Sequence, residues 1–267
     1  MLPPASHLAT CPRGLEALLE IELATAGAQV VRQVPAGVLF MADAAAEMRV
    51  NLTSRIATRI LRKVGFTHYR KEEHIYRAAL DLPWPDWFDV KKTIAVKVGA
   101  QNAPLKSLNF ITLKIKDAIC DRFREETHER PSVDTEAPDV PVYAFFTPDA
   151  VTFYLDTSGE PLFKRGFKRE ASAASIKENL AAGLLMLSGW DPGTPLLDPM
   201  CGAGTILLEA ADMALNRAPG RGRHFAFEHY RDFDAKLWQR IKMDAQAQEK
   251  PLAQLLIFGA DQDRWVL

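Results

Sequence analysis

A glycine-rich segment between an apolar strand and an apolar helix is the part of the sequence best suited to chemistry. It runs from Asp198 to Thr205, after the apolar stretch 195–197 and before the apolar stretch 206–215. Gly202 and Gly204 permit tight backbone conformations and let a ligand approach main-chain atoms. The following helix points unpaired N–H groups at whatever lies in the turn. The order strand, turn, helix therefore predicts a cofactor site at the carboxyl end of a strand in an α/β sheet.

Three types of cofactor compete for such a turn. A phosphate-binding loop requires a lysine directly after its last glycine, and none follows Gly204. A dinucleotide-binding turn requires a third glycine or small residue, and Leu207 stands at that position. A cofactor without a pyrophosphate, held partly by carboxylates, remains, and S-adenosylmethionine is such a cofactor. A tight turn that binds nothing is the structural alternative.

Two carboxylates flank this turn in the sequence. Asp198 ends the first strand and suits the amino-acid moiety of S-adenosylmethionine. Asp261 ends the next predicted strand, 255–261, where a carboxylate can accept two hydrogen bonds from the ribose cis-diol. Asp263 is a second candidate for the ribose. We therefore predict that an acid from each strand lies beside the same pocket.

A basic segment indicates a nucleic-acid partner. The interval 51–71 contains no acidic residue, whereas it contains Arg55, Arg59, Arg62, Lys63, Arg70 and Lys71. We predict a helix over 44–63, on which Arg55, Arg59 and Arg62 share one face that could follow a phosphate backbone. A solvated helix face is the alternative, since the formal net charge of −1 favours neither interpretation.

The remaining elements predict a small α+β region ahead of the glycine turn. Apolar periodicity and breakers indicate a β-α-β-β-α order at the start of the chain, and then a strand, a helix and a hairpin. A further helix, 175–188, has an apolar stripe at Ile176, Leu180, Leu184 and Leu187. The predicted strands are 6–11, 28–32, 38–41, 93–98, 142–146 and 150–155, and the other helices are 15–24 and 110–123.

Several motifs resemble those of THUMP-containing class I S-adenosylmethionine-dependent RNA methyltransferases. The segment Asp198-Pro-Met-Cys-Gly-Ala-Gly-Thr205, followed by Glu209-Ala-Ala211, is similar to the cofactor motif of that family. The chain is most similar to the N-terminal half of the members that methylate guanine in bacterial large-subunit rRNA. Further matches in order are Arg13-Gly-Leu-Glu16, Arg130-Pro-Ser-Val-Asp134, Leu155-Asp-Thr-Ser-Gly159, Arg165-Gly-Phe167 and Asn216-Arg-Ala-Pro-Gly220.

The resemblance implies an α/β fold with an α+β N-terminal part and three domains. These are a ferredoxin-like domain at 1–65, a THUMP RNA-binding domain at 66–160, and the N-terminal portion of a Rossmann-like methyltransferase domain at 161–267. It implies methylation of a guanine amine in 23S rRNA, in the cytoplasm, with S-adenosylmethionine as cofactor. The implied cofactor residues are Asp198, Pro199, Met200, Cys201, Gly202, Gly204, Thr205 and Asp261, with Lys177 and Glu178 in a helix that closes over the methionine end. The implied RNA-binding residues are Arg55, Arg59, Arg62, Lys63, Lys114, Lys116 and Arg165.

The sequence departs from the family in its catalytic segment. The family uses an Asn/Asp-Pro-Pro-Tyr segment after the fourth strand of the catalytic sheet, and the adjacent prolines of this chain are Pro3-Pro4. The sequence ends inside the helix expected after the second strand. We therefore expect an incomplete catalytic domain that binds S-adenosylmethionine weakly and does not turn over. An N6-adenine DNA methylase and a non-catalytic RNA-binding protein are the alternative functions.

Other site classes are excluded by residue spacing. The histidines and cysteines show no metal-ligand pattern, so we predict no metal site. Cys11, Cys120 and Cys201 form no disulfide framework, which is typical of a reducing compartment. No apolar stretch approaches the ~20 residues of a membrane span.

Overall fold

The structure, a computed structural model, describes residues 4–166, 176–251 and 254–262. Its strands are β1 (Ala5–Thr10), β2 (Gln29–Val34), β3 (Gly37–Ala42), β4 (Arg59–His68), β5 (Ile94–Ala100), β6 (Val140–Phe146), β7 (Ala150–Asp156), β8 (Leu196–Asp198) and β9 (Ile257–Gly259). Its helices are α1 (Glu16–Thr25), α2 (Ala44–Thr53), α3 (Glu72–Leu80), α4 (Trp84–Trp87), α5 (Leu108–Thr127), α6 (Glu178–Leu187), α7 (Thr205–Ala214) and α8 (Ala235–Ala247). A short 3-10 helix spans Ala226–His229. Within the described ranges, no helix is both long and apolar enough to cross a membrane.

The first part of the chain folds in the order β1-α1-β2-β3-α2-β4. In the sheet these strands lie in the order β2-β3-β1-β4, with antiparallel neighbours. Alternate residues such as Ala9, Val38 and Phe40 point to one face, where they are fully buried with Leu19 and Leu23 of α1. This arrangement is ferredoxin-like, and the predicted β-α-β-β-α order is confirmed.

The predicted helix over 44–63 is wrong in its second half. Asp43 caps α2 by accepting a hydrogen bond at 2.8 Å from the N–H of Ala46, and the helix ends at Thr53. Arg59–His68 is a strand, because pairing with β1 on one side and β7 on the other buries Ile60 and Leu61. Residues three apart share a helical face but lie on opposite faces of a strand. Arg59 and Arg62 therefore point to opposite sides of the sheet, and the expected cationic helix face does not exist.

Strand β4 joins two halves of one seven-stranded sheet. The full order is β2-β3-β1-β4-β7-β6-β5, in which only the pair β5–β6 is parallel. The predicted boundary between residues 65 and 66 falls inside β4. Helices α3 and α5 cover one face of the second half, where Ile115, Phe123, Phe146 and Phe153 are almost completely buried. The sequence interpretation gave the hairpin β6–β7 and helix α5 but missed α3 and α4.

The last part of the chain consists of the parallel pair β8–β9 with helices α6 and α7 beside it. Helix α6 packs its small residues against the ferredoxin-like part. Asn179 donates a hydrogen bond at 3.0 Å to Oγ1 of Thr58, and Gly183 lies against Leu15. The predicted apolar stripe therefore faces away from this contact, and Leu180, Leu184 and Leu187 remain 37%, 45% and 60% exposed.

Candidate functional site

The structure brings the two predicted carboxylates to the same edge of the strand pair β8–β9. Asp198 is the last residue of β8 and pairs with Gly259 of β9. Asp261 follows β9 by two residues, and its Oδ2 accepts a hydrogen bond at 2.8 Å from the N–H of Gly202. Parallel strands end at a common edge, so the acid after each strand lies beside the turn that leaves β8. The other ribose candidate, Asp263, lies outside the described residues.

Backbone hydrogen bonds hold the turn between β8 and α7 against β9. The N–H of Cys201 donates to the carbonyl of Ala260 at 3.0 Å, and the N–H of Ala260 donates to the carbonyl of Asp198 at 3.0 Å. Oδ1 of Asp198 accepts from the N–H of Met200 at 3.1 Å. The turn is therefore fixed by atoms of both strands rather than by its own residues alone.

Both glycines of the turn have left-handed backbone conformations. Gly202 has φ +51° and Gly204 has φ +70°, and among the described residues other than their chain neighbours, no atom lies within 4 Å of a Cβ built on either one. Such φ values are costly for residues with a side chain. Open space therefore adjoins the turn, while Thr205 and Cys201 below it are buried and Pro199 and Met200 are exposed. The first N–H groups of a helix lack acceptors within the helix, so the start of α7 at Thr205 supplies donors next to the turn.

Lys177 and Glu178 lie at the start of α6, which packs against α7. Lys177 has an extended backbone conformation before the helix, and its ammonium lies 5.0 Å from the ring centroid of Phe163. The side chain of Glu178 is buried. These positions put both residues near the junction between α6 and the helix that carries the glycine turn.

A buried ion-pair cluster supports α7 from the side of the ferredoxin-like part. The carboxylate of Glu209 on α7 pairs with Arg165, whose guanidinium also donates at 2.6 Å to the carbonyl of Arg55. Arg55 in turn donates to the carbonyls of Asp212 and Arg217 at 3.1 and 2.5 Å. Burial raises the pKa of Glu209, and the two guanidiniums act in the opposite direction. Sequence reasoning missed this cluster, although an acid inside the apolar stretch 206–215 was a signal for it.

The same cluster corrects two of the expected RNA contacts. The guanidinium of Arg165 is fully buried, and that of Arg55 is nearly so. Nη1 and Nη2 of Arg165 and Nη2 of Arg55 donate to protein oxygens, and the burial of both side chains keeps them from a surface where RNA would lie. Both arginines are structural links between the ferredoxin-like part and α7.

Arg59 and Arg62 are also held by internal acids. Arg59 pairs with the buried Asp156 and donates to the carbonyl of Gly159 at 2.6 Å. Arg62 pairs with Glu47 at 2.6 Å and with Asp232 at 2.7 Å. Burial alone would raise the pKa of Glu47, but Arg62 and the hydrogen bond with His7 lower it to about 2. The prediction that these two arginines form an exposed basic face is wrong.

The three expected lysines lie elsewhere on the surface. Lys63 is exposed on β4, with its ammonium 5.0 Å from the ring centroid of Phe66. Lys114 on α5 lies 5.3 Å from the ring centroid of Phe110 and 3.9 Å from Glu73. Lys116 pairs with Asp117. These lysines belong to two different faces of the molecule, so no single predicted RNA surface contains all of them.

Three known families match successive parts of the chain. The family described as "RlmL ferredoxin-like domain" matches residues 6–61, "THUMP domain" matches 69–156, and "RMKL-like, methyltransferase domain" matches 165–267. The expected fold class, with ferredoxin-like, THUMP and methyltransferase domains in that order, is confirmed.

Named relatives match almost the whole chain. The ribosomal RNA large subunit methyltransferase K/L of Colwellia psychrerythraea is 40% identical over 266 residues, which cover 97% of this chain and 37% of that protein. A provisionally named RNA methyltransferase of Synechocystis sp. is 37% identical over 98% of this chain and 68% of its own length. The crystal structure of SMU.472, a provisionally named methyltransferase in complex with SAH, is 31% identical with a TM-score of 0.89, covering 100% of this chain and 70% of that one. The chain thus spans little more than a third of the length of the K/L relatives.

Proposed function

Since the chain belongs to the family of THUMP-containing, S-adenosylmethionine-dependent methyltransferases, we propose that it serves the methylation of RNA. The proposed target is the exocyclic amine of a guanine in large-subunit rRNA, and the proposed compartment is the cytoplasm. The proposed division of labour follows the three domains 1–65, 66–160 and 161–267, with RNA held by the first two. The observation that carries the proposal is the open glycine turn flanked by Asp198 and Asp261.

The residues of the turn fit S-adenosylmethionine by their chemistry. That cofactor supplies a methyl group on a sulfonium centre, together with an amino-acid moiety and a ribose. Asp198 suits the ammonium of the amino-acid moiety, and Asp261 suits the ribose hydroxyls, because a carboxylate can accept two hydrogen bonds from a cis-diol. Pro199, Met200, Cys201 and Thr205 complete the proposed cofactor surface.

Lys177 and Glu178 are proposed to close the methionine end of this site. Their place at the start of α6, which packs against α7, supports that role. A neutral exocyclic amine is a poor nucleophile, so its orientation in line with the methyl group has to supply most of the rate acceleration. Fixing α6 and α7 by buried contacts serves that orientation.

Three lysines remain as proposed phosphate contacts, because the four arginines expected to bind RNA form internal ion pairs. These lysines are Lys63, Lys114 and Lys116. Each is a cation whose side chain is at least partly exposed. Because phosphate contacts dominate RNA affinity, we expect binding to weaken as salt concentration rises.

Cofactor binding is tested with SAH on the 267-residue chain by ligand-detected NMR, which registers weak association. Gly204→Val forces a β-branched residue into a left-handed conformation, and Asp261→Asn removes the charge next to Gly202. We expect both to abolish the saturation-transfer signal, and the exposed Asp244→Asn to leave it unchanged. An SAH signal that survives both site variants would exclude the turn as the cofactor site.

Substrate is tested with the protein expressed from its whole gene and S-adenosylmethionine labelled in the methyl group. We expect label in N2-methylguanosine after nucleoside analysis of rRNA that lacks the modification. Label in adenine of DNA, with none in rRNA, would instead support the DNA methylase alternative. Binding of rRNA with no transfer to either substrate would support a non-catalytic RNA-binding protein.

A further inference from the structure

Among the elements that the structure describes, no helix covers one face of the sheet formed by β4, β7, β6 and β5. The strand register places two rows of side chains across this face. The first row is Lys63, Tyr154, Tyr143 and Lys97, and the second is Phe66, Thr152, Phe145 and Gly99. Residues that pair across strands point to the same side of a sheet, so both rows lie on one surface.

The opposite face of these strands forms the core. The residues that alternate with the two rows are buried on the side of α3 and α5. They are Phe153 and Leu155 of β7 and Val142, Ala144 and Phe146 of β6. In contrast, Phe66 is 52% exposed, and Tyr143 and Phe145 are half-buried. Aromatic side chains thus occupy both faces of the strands, although only one face is needed for the core. An exposed cluster of large apolar side chains marks an interaction surface.

Gly99 extends this aromatic surface onto the edge strand β5. A Cβ built on Gly99 would overlap the hydroxyl oxygen of Tyr143 and approach Cδ2 of Phe145 to 3.3 Å. The side chains of Tyr143 and Phe145 therefore lie across β5 in the space that a larger residue would fill. The surface is continuous from Phe66 on β4 to Gly99 at the edge of the sheet.

The charge of this face is complementary to a polyanion. Lys63 and Lys97 stand at the two ends of the first row, and neither forms an ion pair with any residue that the structure describes. The acid on the same face, Asp156, is buried and already paired with Arg59. Glu136 and Asp139 line a cleft that Lys97 and Arg59 also line, so these acids bound the surface near the start of β5. In contrast to Lys63 and Lys97, Arg59 and Arg62 are paired with the internal acids Asp156 and Glu47.

We propose that Phe66, Tyr143 and Phe145, with Lys63 and Lys97, form a platform that binds single-stranded RNA, above the buried ring of Tyr154. Bases stack on the aromatic side chains, and the two ammonium groups contact phosphates. Only unpaired bases expose their faces for stacking, so the platform selects single-stranded segments over duplex. The inference rests on the proposed function for the identity of the polyanion, and it adds where and in which form the RNA is held.

The test measures fluorescence anisotropy of a labelled oligouridine of about 10 nucleotides, and of the corresponding duplex, with the 267-residue chain. We expect the single strand to bind more tightly than the duplex. The double variant Phe66→Ala, Phe145→Ala should weaken single-strand binding about 10- to 100-fold with an unchanged salt dependence. Lys63→Gln with Lys97→Gln should weaken binding and also reduce its salt dependence.

Phe110 on the opposite face, 47% exposed, provides the matched aromatic control, and the neighbouring Lys114, itself a proposed phosphate contact, is left unchanged. Phe110 and Lys114 on α5 repeat the arrangement of Phe66 and Lys63, with a lysine beside an exposed phenylalanine ring. Phe110→Ala should leave oligouridine binding unchanged. Gly99→Ala, which displaces Tyr143 without removing an aromatic residue, should weaken binding less than the double variant. Circular dichroism melting curves identify any variant that fails to fold.

Several outcomes would overturn the platform. These are wild-type affinity in the folded double variant, a loss caused by Phe110→Ala instead, equal binding of duplex and single strand, or self-association through Phe66 without RNA binding. Absence of RNA binding alongside intact methyl transfer to rRNA would remove the platform and leave the proposed function standing. Single-strand binding through the platform without methyl transfer would remove the proposed function and leave the platform standing.

Discussion

The seven-stranded sheet and the strand pair β8–β9 differ in how completely their side chains are buried. In the sheet, helices close one face, and residues such as Phe146 and Phe153 are almost completely buried. In the strand pair, Leu197 and Phe258 lie on adjacent strands and are 65% and 53% exposed. The glycine turn nevertheless keeps its conformation, because backbone hydrogen bonds from both strands hold it. The comparison teaches that hydrogen bonds, rather than buried side chains, hold the strand pair and its turn together in this chain.

The two regions meet through buried polar contacts in addition to the apolar packing of α6 on Leu15. Glu209 of α7 is buried against Arg165 and Arg55, and Asn179 of α6 donates to the carbonyl of Ile56 at 3.3 Å. Buried ion pairs are weak net contributors when intact but costly to break, because the remaining charge lies buried without its partner. The position of α7 behind the glycine turn therefore depends on a few specific side chains.

The comparison is tested most strongly by the same substitution in both regions. Phe153→Ala empties a core position and should lower the free energy of unfolding by about 3–5 kcal/mol. Phe258→Ala removes an exposed ring and should change it by less than about 1 kcal/mol. Urea unfolding followed by circular dichroism measures both values. Equal losses would mean that β9 is buried in solution and that the contrast between the regions is false.

Two consecutive cations at the junction, Lys164 and Arg165, allow an exposed ion pair to be compared with a buried one. Arg165→Met leaves the carboxylate of Glu209 buried without its main partner and should cost about 3 kcal/mol. Lys164→Met breaks the exposed pair with Glu160 and should cost less than about 1 kcal/mol. The same unfolding experiment compares them. If Arg165→Met proved as mild as Lys164→Met, the cluster would not hold the two regions together.

The pH dependence of unfolding should report on the carboxylate of Glu47, which is buried on α2. The pKa of Glu47 is lowered from 4.5 to about 2 in the folded chain, since Arg62 and His7 outweigh the effect of burial. A depressed pKa contributes stability that is present above pH 4.5 and is lost as the pH falls towards 2. A shift of this size corresponds to about 3 kcal/mol. Stability measured against pH should fall in this window, and Glu47→Gln should flatten the curve, whereas the exposed Glu73→Gln should not.

Much of the fold followed from patterns along the chain. The alternation in β6 and β7, the periodicity of α1 and α5, and the glycine turn before α7 depend on neighbours in sequence, so they could be predicted. The segment 59–68 could not. Its apolar residues suit a helix or a strand, and pairing with β1 and β7 decided for the strand.

The candidate site shows the same division. The sequence by itself determined the turn, because Gly202 and Gly204 adopt conformations that other residues avoid, and it determined which acids stand beside the turn, because they follow consecutive parallel strands. Only the tertiary structure decided that Arg55, Arg59, Arg62 and Arg165 pair with internal acids, and that aromatic residues of β4 and β6 remain partly exposed on the face opposite the helices. The physical reason is that a local pattern specifies conformation and spacing, whereas the partner of a charge and the burial of a face depend on segments distant in sequence.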